Sequence, residues 1–346
     1  MSSQPLTSDL FEFDSSADVI EHYFRSGWTD GLPVVPPTPE RVGEFLDYVG
    51  RSPSEILGTE PTKGRVITVE KVAINAVMAG CLPEYFPVVL AAIEALVEPQ
   101  FNLHAITVST MGAAVLAVVN GPIANDLAMN SSVSVFGPGH RANATIGRAI
   151  RLVIINVTGA LPGVLDKATL GHPGKYTWCI AEGEEVSPWE PLNVERGMDA
   201  ASSAITLFAG LSATQVPNHK GNTPETILVS FRDAMFSAGY GQGEVVVVLC
   251  PEHVGYLGAA GWSKADVKRF LHESAQRKVS EWQSAGRELP EGMDADAMLA
   301  TSESEDSITL LVAGGFAGAF SQVIPLWGGG SNSRSVCKEI VVLQDG

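Results

Sequence analysis

The sequence predicts an α/β fold: two α/β halves with largely parallel or mixed sheets, preceded by an extended Pro-rich N-terminal arm. Of the 346 residues, 45% are hydrophobic and only 18% are charged, which supplies apolar material for a large buried core. Short β-rich runs alternate with amphipathic segments, and this alternation is typical of βαβ units. The predicted strands end in turns such as NGP, CPEH and AGG, where open α/β sheets bind their ligands.

The composition limits the class of partner. A net charge of −17 argues against nucleic acid, whose phosphates are bound by clustered Lys and Arg, and against anionic membrane surfaces. The longest apolar runs are shorter than the roughly 20 residues of a membrane-spanning helix, and the acidic N-terminus lacks the pattern of a signal peptide. The four cysteines form no C-x-x-C motif, so no zinc knuckle is predicted. We therefore expect a cytoplasmic protein that binds neither nucleic acid nor membrane.

Residues 1–62 are predicted to form the N-terminal arm and a helix. The stretch WTDGLPVVPPTPERV, from 28 to 42, combines an Asp-Gly turn with four prolines, which favours an extended path. A helix is predicted over about 40–49, starting at Thr38 or Pro39, because proline suits the first helical turn. The arm is interpreted as a strap over the core, or as a substrate lid or subunit contact in which Trp28 and Asp30 take part.

Residues 63–199 are predicted to form the first half. Its predicted elements are a helix over 68–80, a helix over 83–98, strands over 104–109 and 113–122, and a helix over about 144–156. Thr68 and Asn143 are the expected caps of the first and last of these helices, because their side-chain oxygens can accept backbone N–H groups.

Residues 200–346 are predicted to form the second half. Strands are expected over 203–210, 244–250, 307–315 and 339–344, and helices over 223–239 and 263–276. Ser263 and Asp266 have the spacing of a capping box at the start of the second helix. The acidic, turn-rich stretch 288–306 is expected to be a surface loop.

Charge is unevenly distributed along the chain. Residues 139–175 carry five cationic side chains against the single carboxylate of Asp166, although the protein as a whole is acidic. These cations either pair with acids from elsewhere in the fold or form an electropositive pocket for a small anion. The second interpretation is supported by a glycine loop at 137–139 that opens onto a helix N-terminus, where free N–H groups favour negative charge.

These observations define a candidate site for a small anionic substrate. Arg141 and Arg148 are expected to hold a carboxylate, because a guanidinium offers a bidentate fork. The complete set of predicted substrate-binding residues is Gly137, Gly139, Arg141, Asn143, Arg148, Lys175, Trp28 and Asp30.

The predicted catalytic residues are His140, His172, Cys81, Cys179 and Glu182. Either histidine can transfer a proton near neutral pH. Cys81 lies where a helix N-terminus would lower the pKa of a thiol and so favour a nucleophilic thiolate. His253, in the CPEH turn, is a further candidate from its location alone. A metal site formed by His140, His172 and Glu182 is conceivable chemically, but its spacing matches no motif and no cofactor is identified.

Familiar catalytic motifs are absent from the sequence. There is no phosphate-binding GxxxxGK[ST] loop, no G-x-S-x-G elbow, no H-E-x-x-H helix and no EF-hand loop. A standard nucleotide-dependent, serine-triad or zinc-protease mechanism is therefore not predicted.

Several long blocks resemble a bacterial protein family. They are WTDGLPVVPPT (28–38), AVMAGCLPEYFPVVLAA (76–92), NGPIA (120–124), FGPGHRANATIGRAIRL (136–152) and GKYTWCIAEGEEVSPWEPL (174–192). Members of that family occur beside, or fused to, a small protein with a Cys/Sec-Gly-Ser-Cys motif. That motif is missing from this chain, so the resemblance implies a separate partner protein that supplies the thiol or selenol.

Together these features predict an enzyme, or the larger subunit of a two-component enzyme, of lyase, hydrolase or redox type. Its expected chemistry is acid–base or thiol-assisted conversion of a small anionic organic molecule. The alternative is a non-catalytic scaffold that binds a small thiol- or selenol-bearing protein. High apolarity with low charge also favours an oligomer.

Overall fold

Two four-stranded sheets packed face to face form the centre of the computed structural model, which describes residues 5–239, 243–328 and 333–342. The helices are α1 Ser16–Ser26, α2 Pro39–Val49, α3 Val69–Ala79, α4 Phe86–Leu96, α5 Leu103–Val108, α6 Pro122–Asp126, α7 Arg141–Asn156, α8 Leu192–Glu195, α9 Pro224–Met235, α10 Pro251–Ala259, α11 Lys264–Ser274 and α12 Val279–Ser284. The strands are β1 Ile56–Glu60, β2 Arg65–Thr68, β3 Ala114–Asn120, β4 Cys179–Ala181, β5 Ala204–Gly210, β6 Thr214–Pro217, β7 Val245–Leu249, β8 Gln276–Lys278, β9 Met298–Ala300, β10 Ile308–Val312, β11 Phe320–Pro325 and β12 Val336–Glu339. The predicted α/β class with mixed sheets is confirmed.

The two large sheets have the same spatial arrangement of strand directions, but the chain passes through the strands in a different order. The first has the order β4-β3-β5-β12 and the second the order β10-β7-β11-β6. In each sheet the first two strands are parallel and the other pairings are antiparallel. The edge strand of the first sheet, β12, comes from the far end of the chain, after the whole second sheet. The two sheets therefore repeat one arrangement of strands with a permuted chain order, and no repeat in the sequence indicates this.

Alternating side chains along each strand build a four-layer α-β-β-α sandwich. On the inner faces, Leu116 and Phe208 of the first sheet pack in one cluster with Val246, Val248 and Ile324 of the second. The outer face of the first sheet packs under α3, α4 and α7, and that of the second packs under α9, α10 and α11. Because successive residues of a strand point to opposite faces, these apolar runs serve both layers.

Small residues allow the layers to approach closely. A Cβ at Gly147 of α7 would lie 2.4 Å from the Thr177 hydroxyl oxygen and 2.8 Å from the backbone nitrogen of Trp178. Glycine is therefore required where α7 crosses the start of β4, and the helix is held directly against the chain that leads into the site.

Several helix starts are confirmed. The Thr38 hydroxyl accepts from the Arg41 N–H at the start of α2, with Pro39 in the first turn, and the Thr68 hydroxyl accepts from Lys71 at the start of α3. The capping box of Ser263 and Asp266 is present at α11. These signals are local, since each lies within four residues of the helix end that it stabilises.

Other predicted elements are wrong. Residues 104–109, predicted as a strand, lie largely in α5, where Leu103, Ile106 and Thr107 are buried at helical spacing. Asn143 is not a cap, because α7 begins two residues earlier and its N-cap is His140. The strand predicted at 339–344 lies at Val336–Glu339, where its register is fixed by pairing with β5, and residues 343–344 lie outside the described residues.

The boundaries of the predicted halves also differ from those of the sheets. The division at residue 200 falls before β5, which belongs to the first sheet, as does β12. The predicted surface loop at 288–306 contains β9, which pairs with β8. In the described part of the chain, no single helix is long and apolar enough to cross a membrane; one bent pair, Pro83–Leu96 with Pro99–Val108, meets the length and composition criteria jointly.

Candidate functional site

Two adjoining cavities lie beside the loop at residues 133–138. The first, which we call the thiol cavity, has a volume of about 350 Å³ and is lined by Cys250 and Ser321. The second, the aromatic cavity, has a volume of about 550 Å³ and is lined by His172 and Trp178. The residues that line both are Val135, Phe136, Gly137 and Gln322. The two cavities are therefore neighbours that share part of their walls, and we refer to them together as the cleft.

Cys250 occupies the carboxyl end of β7, a buried strand that is parallel to β10 and antiparallel to β11. It directly follows the five apolar residues of β7 and is the N-cap of α10, whose first residue is Pro251. Ligands of open α/β sheets bind at this position, and free N–H groups at a helix start favour an anion such as a thiolate. The sequence Cys-Pro after a valine run thus places a thiol at the strand end.

His253 lies one helical turn after Cys250 and is held by two further elements. Its Nε2 is 3.1 Å from the Asn218 carbonyl oxygen, which can only accept, so Nε2 carries a proton. Its Nδ1 is 2.7 Å from the Ser321 hydroxyl. That hydroxyl oxygen also accepts the Cys250 backbone N–H, at 2.9 Å. In the neutral ring, Nδ1 is therefore the basic nitrogen, and it faces Ser321 and Cys250.

The environment of the pair favours charge separation. Burial opposes ionisation of the Cys250 thiol, but hydrogen bonds with His253 and Ser321 outweigh it and lower the pKa of Cys250. Burial also disfavours the imidazolium, yet the hydrogen bond and charge interaction with Cys250 raise the pKa of His253. The two shifts have the same cause, since each ionised group stabilises the other.

This arrangement can perform nucleophilic chemistry. A thiolate, not a thiol, attacks electrophilic carbon, and a neighbouring histidine that accepts its proton is the usual means of activation. His253 is fully buried and lines neither cavity, so the proton on Nδ1 reaches a leaving group through the Ser321 hydroxyl, which lines the thiol cavity. Ser321 and Asn218 orient the ring, so the described residues supply a nucleophile, a base and the groups that position them.

No Asp, Glu, Lys or Arg lines either cavity in the described part of the chain. The walls consist of apolar and aromatic side chains, glycine backbone, the thiols of Cys250 and Cys179, the His172 ring, and the neutral polar groups of Ser, Thr, Tyr, Asn and Gln residues. A molecule bound in the cleft would therefore meet hydrogen-bonding groups without formal charge.

The aromatic cavity brings together four predicted site residues: Gly137, Asn143, His172 and Cys179. His172 Nδ1 accepts the Gly174 N–H at 3.2 Å, and its Nε2 lies 3.3 Å from the Gly210 carbonyl oxygen. Burial lowers the pKa of His172, so the ring is neutral at pH 7. Its ring centroid lies 5.0 Å from that of Trp178, in an edge-on contact.

Cys81 and Cys179 belong to the core under the first sheet. The expectation that a helix N-terminus lowers the pKa of Cys81 is wrong, because complete burial raises it to about 12. Burial raises the pKa of Cys179 as well. Both thiols are therefore protonated at neutral pH, whereas the pKa of Cys250 is shifted in the opposite direction.

The predicted anion-binding cations have partners within the protein. Arg148 makes two hydrogen bonds of 2.8 Å to the carboxylate of Asp30 and also donates to the carbonyl oxygens of Leu32 and Pro33. Arg141 donates twice to the Gly80 carbonyl oxygen at the end of α3. These contacts attach the N-terminal arm and α3 to α7, so both arginines stabilise the fold.

Lys175 and Arg151 share one acid. Lys175 lies 2.6 Å and Arg151 3.0 Å from the same oxygen of Asp166. Asp30, Lys175 and His172 line a third cavity of about 710 Å³, and Arg151 and Asp166 line it too. Its two cations and two carboxylates balance, so the cavity has no net positive charge.

The remaining predicted residues are dispersed. His140 is exposed at the N-cap of α7 and Gly139 is exposed in the loop before it. Trp28 contacts the rings of Phe11, His22 and Tyr23 in the N-terminal segment. None of these three lines the thiol or aromatic cavity.

Glu182 is buried on the first sheet and is hydrogen-bonded to the Asn120 amide at 2.6 Å and the Leu192 N–H at 2.8 Å. Burial raises the pKa of its carboxyl group. In the residues that the structure describes, no group of three or more His, Cys, Asp or Glu side chains is placed to hold a metal ion. His140, His172 and Glu182 are not brought together.

Sequence reasoning missed Cys250, Ser321 and Asn218. The sequence does contain a signal for Cys250 and His253. A cysteine at a strand end and a histidine three residues later lie on the same face of the helical turn that follows the strand. No such signal exists for Ser321, which is 71 residues from Cys250 and reaches it only through pairing of β11 with β7.

No protein-family model matches the sequence, and no curated protein sequence matches it.

Proposed function

We propose that this protein is an enzyme that converts a small organic molecule by nucleophilic thiol chemistry. Cys250 is the nucleophile and His253 is its base. The observation that carries the proposal is that Cys250, which lines the thiol cavity at a strand end, and the Nδ1 of His253 both contact the Ser321 hydroxyl. The lowered pKa of the Cys250 thiol supports it. The expected thiol-assisted chemistry is thus assigned to Cys250 in place of Cys81 and Cys179.

The proposed step begins with addition of the Cys250 sulfur to an electrophilic carbon, while His253 holds the thiol proton. For an acyl substrate, the new C–S bond forms as the bond to the leaving group breaks. His253 then gives its proton to the leaving group through the Ser321 hydroxyl. Water hydrolyses the thioester and regenerates the thiol, so the cycle needs no external oxidant or reductant.

The test uses p-nitrophenyl acetate as an uncharged acyl donor. The purified chain is expected to release p-nitrophenolate in a burst approaching one equivalent, with acetyl-Cys250 detected by mass spectrometry of the intact protein. Cys250→Ser should abolish the burst, and His253→Gln should slow it by about 10²-fold or more, the usual contribution of a general base.

Cys337→Ser is the matched control, because Cys337 is partly exposed but burial raises the pKa of its thiol. This variant should retain the full burst. If Cys250→Ser keeps the burst, the proposed nucleophile is wrong. Turnover only with an added thiol- or selenol-bearing protein, independent of Cys250, would instead favour the scaffold function.

A further inference from the structure

The wall of the thiol cavity contains two glutamines that lie side by side on neighbouring strands, the half-buried Gln322 and the exposed Gln215. Gln322 of β11 is paired directly with Gln215 of β6, and on its other side with Val248 of β7. Val248 and Ile324 belong to the cluster between the sheets, so the side chain of Gln322 points to the inner face. This row is where the apolar contact between the sheets ends and the cavity begins.

The carboxamides of this pair are available to a ligand. Among the described residues, neither the Gln215 nor the Gln322 side chain makes a hydrogen bond within the protein. Both residues line the thiol cavity with Cys250, and Gln322 also lines the aromatic cavity. Each amide offers two N–H donors and one carbonyl acceptor, so the pair presents neutral groups of both kinds.

We infer that the thiol cavity selects an uncharged substrate whose carboxamide, or similar neutral donor–acceptor group, is bound by Gln322 and Gln215. This inference rests on the proposed function, since it names the substrate class for the same thiol. It differs from the anionic substrate that the sequence predicts.

Charge supports the inference. A carboxylate entering the cleft loses hydration and finds no Lys or Arg on the described walls of either cavity, whereas a carboxamide exchanges water for two amide partners. The predicted cations Arg141, Arg148 and Lys175 are bound to other groups of the protein. We therefore expect these neutral groups to bind a carboxamide more tightly than the corresponding carboxylate.

The mouth of the cavity suits the apolar part of such a molecule. Val133 and Phe320, which line the thiol cavity, are 67% and 46% exposed, and Phe136 lines both cavities. Pockets for small molecules commonly combine such apolar walls with a few polar groups that fix orientation.

The test compares iodoacetamide with iodoacetate, two alkylating reagents of nearly equal size that differ in charge and in the amide group. Each transfers its CH₂ carbon to the thiolate sulfur as the C–I bond breaks and iodide leaves. The intact protein is alkylated, and the rate of modification at Cys250 is then measured by mass spectrometry of its peptides. The ratio of the two rates is then divided by the same ratio for glutathione.

We expect this normalised ratio to be about thirty, because each of two hydrogen bonds contributes a factor of about five. Gln322→Met and Gln215→Met should each reduce it severalfold by slowing iodoacetamide, with the iodoacetate rate unchanged. These substitutions keep side-chain length and protein charge, so a general repulsion of anions by the acidic protein would survive them. Gln283→Met, on the exposed side of α12, is the control and should change neither rate.

The outcomes separate the two proposals. If Cys250 reacts readily at pH values below the range of free thiols but with a normalised ratio near one, the substrate class is wrong and the nucleophile stands. A ratio that stays high in both glutamine variants also contradicts the recognition by Gln322 and Gln215. If Cys250 reacts with neither reagent, the proposed function fails and the inference fails with it.

Discussion

At the scale of single residues, the hydrogen-bond partners of a buried cysteine decide the direction in which its thiol pKa shifts. Cys81 and Cys250 are both buried and both follow a secondary-structure element, yet the pKa of one thiol is raised to about 12 and that of the other is lowered. Burial acts in the same direction on both. The difference is that His253 and Ser321 face Cys250, whereas complete burial dominates at Cys81.

Asp166 gives a residue-scale prediction about stability. Burial opposes its ionisation, but the hydrogen bonds from Lys175, Ala168 and Arg151 outweigh this and lower the pKa of its carboxyl group. A lowered pKa in the folded state stabilises the protein above the unfolded value of about 3.9, and this contribution is lost as pH falls through the folded pKa.

Asp166→Asn should therefore lower the free energy of unfolding at pH 7 by about 3 kcal/mol, because two largely buried cations lose their counterion. The loss should shrink as the pH approaches 3. Urea unfolding at several pH values measures both effects. Asp233→Asn, in an exposed pair with Arg232, should cost less than about 1 kcal/mol. An Asp166→Asn penalty that does not vary with pH would contradict the linkage.

At the scale of elements, the proline-rich part of the N-terminal arm is attached to α7 by two side chains. Asp30 and the carbonyl oxygens of Leu32 and Pro33 are all bound by Arg148 of α7, and Asn156 donates to the Trp28 carbonyl oxygen. A proline-rich segment has few backbone donors for pairing with a sheet. The arm is therefore held to α7 through its acceptors, as a strap would be.

Arg148→Ala should release this arm. The amides of residues 28–35 are expected to exchange faster with deuterium, and the free energy of unfolding should fall by about 3 kcal/mol because Asp30 keeps a nearly buried charge without its partner. Arg232→Ala removes an exposed arginine and is the matched control. Unchanged exchange in the arm would show that other contacts hold it.

The elements that can be predicted from the sequence are those marked by local signals. The caps at Thr38, Thr68 and Ser263 act within four residues, and the valine run of β7 is apolar enough to identify alone. The short strand β6 is half polar, and its position depends on pairing with β11 across the chain. Most of the site could not be predicted from the sequence for the same reason, since Asn218 and Ser321 reach His253 only through the pairing of strands in the second sheet.

At the scale of the whole molecule, the two sheets share one interior. Phe208 of the first sheet is fully buried among residues of both sheets, including Val246 and Ile324. The cleft lies at the end of this shared interior. The geometry of the cleft therefore depends on both halves being folded.

Phe208→Ala should destabilise both sheets together, by about 3–5 kcal/mol, because it leaves a cavity between them. Hydrogen exchange should show reduced protection in β3 and β5 and, to a similar extent, in β7 and β11. Phe45→Ala, in the helix layer outside the first sheet, is the comparison. If β7 and β11 keep full protection in Phe208→Ala, the halves unfold independently.

The position of β12 has a consequence for synthesis on the ribosome. The strand that completes the first sheet is translated only after the entire second sheet, so the edge of β5 emerges long before its partner does. In every nascent chain the apolar strand Ala204–Gly210, which is buried in the folded protein, is thus exposed with unpaired backbone groups along one edge. Chains terminated early would keep that edge permanently, and we expect them to be the form that chaperones retain and proteases remove.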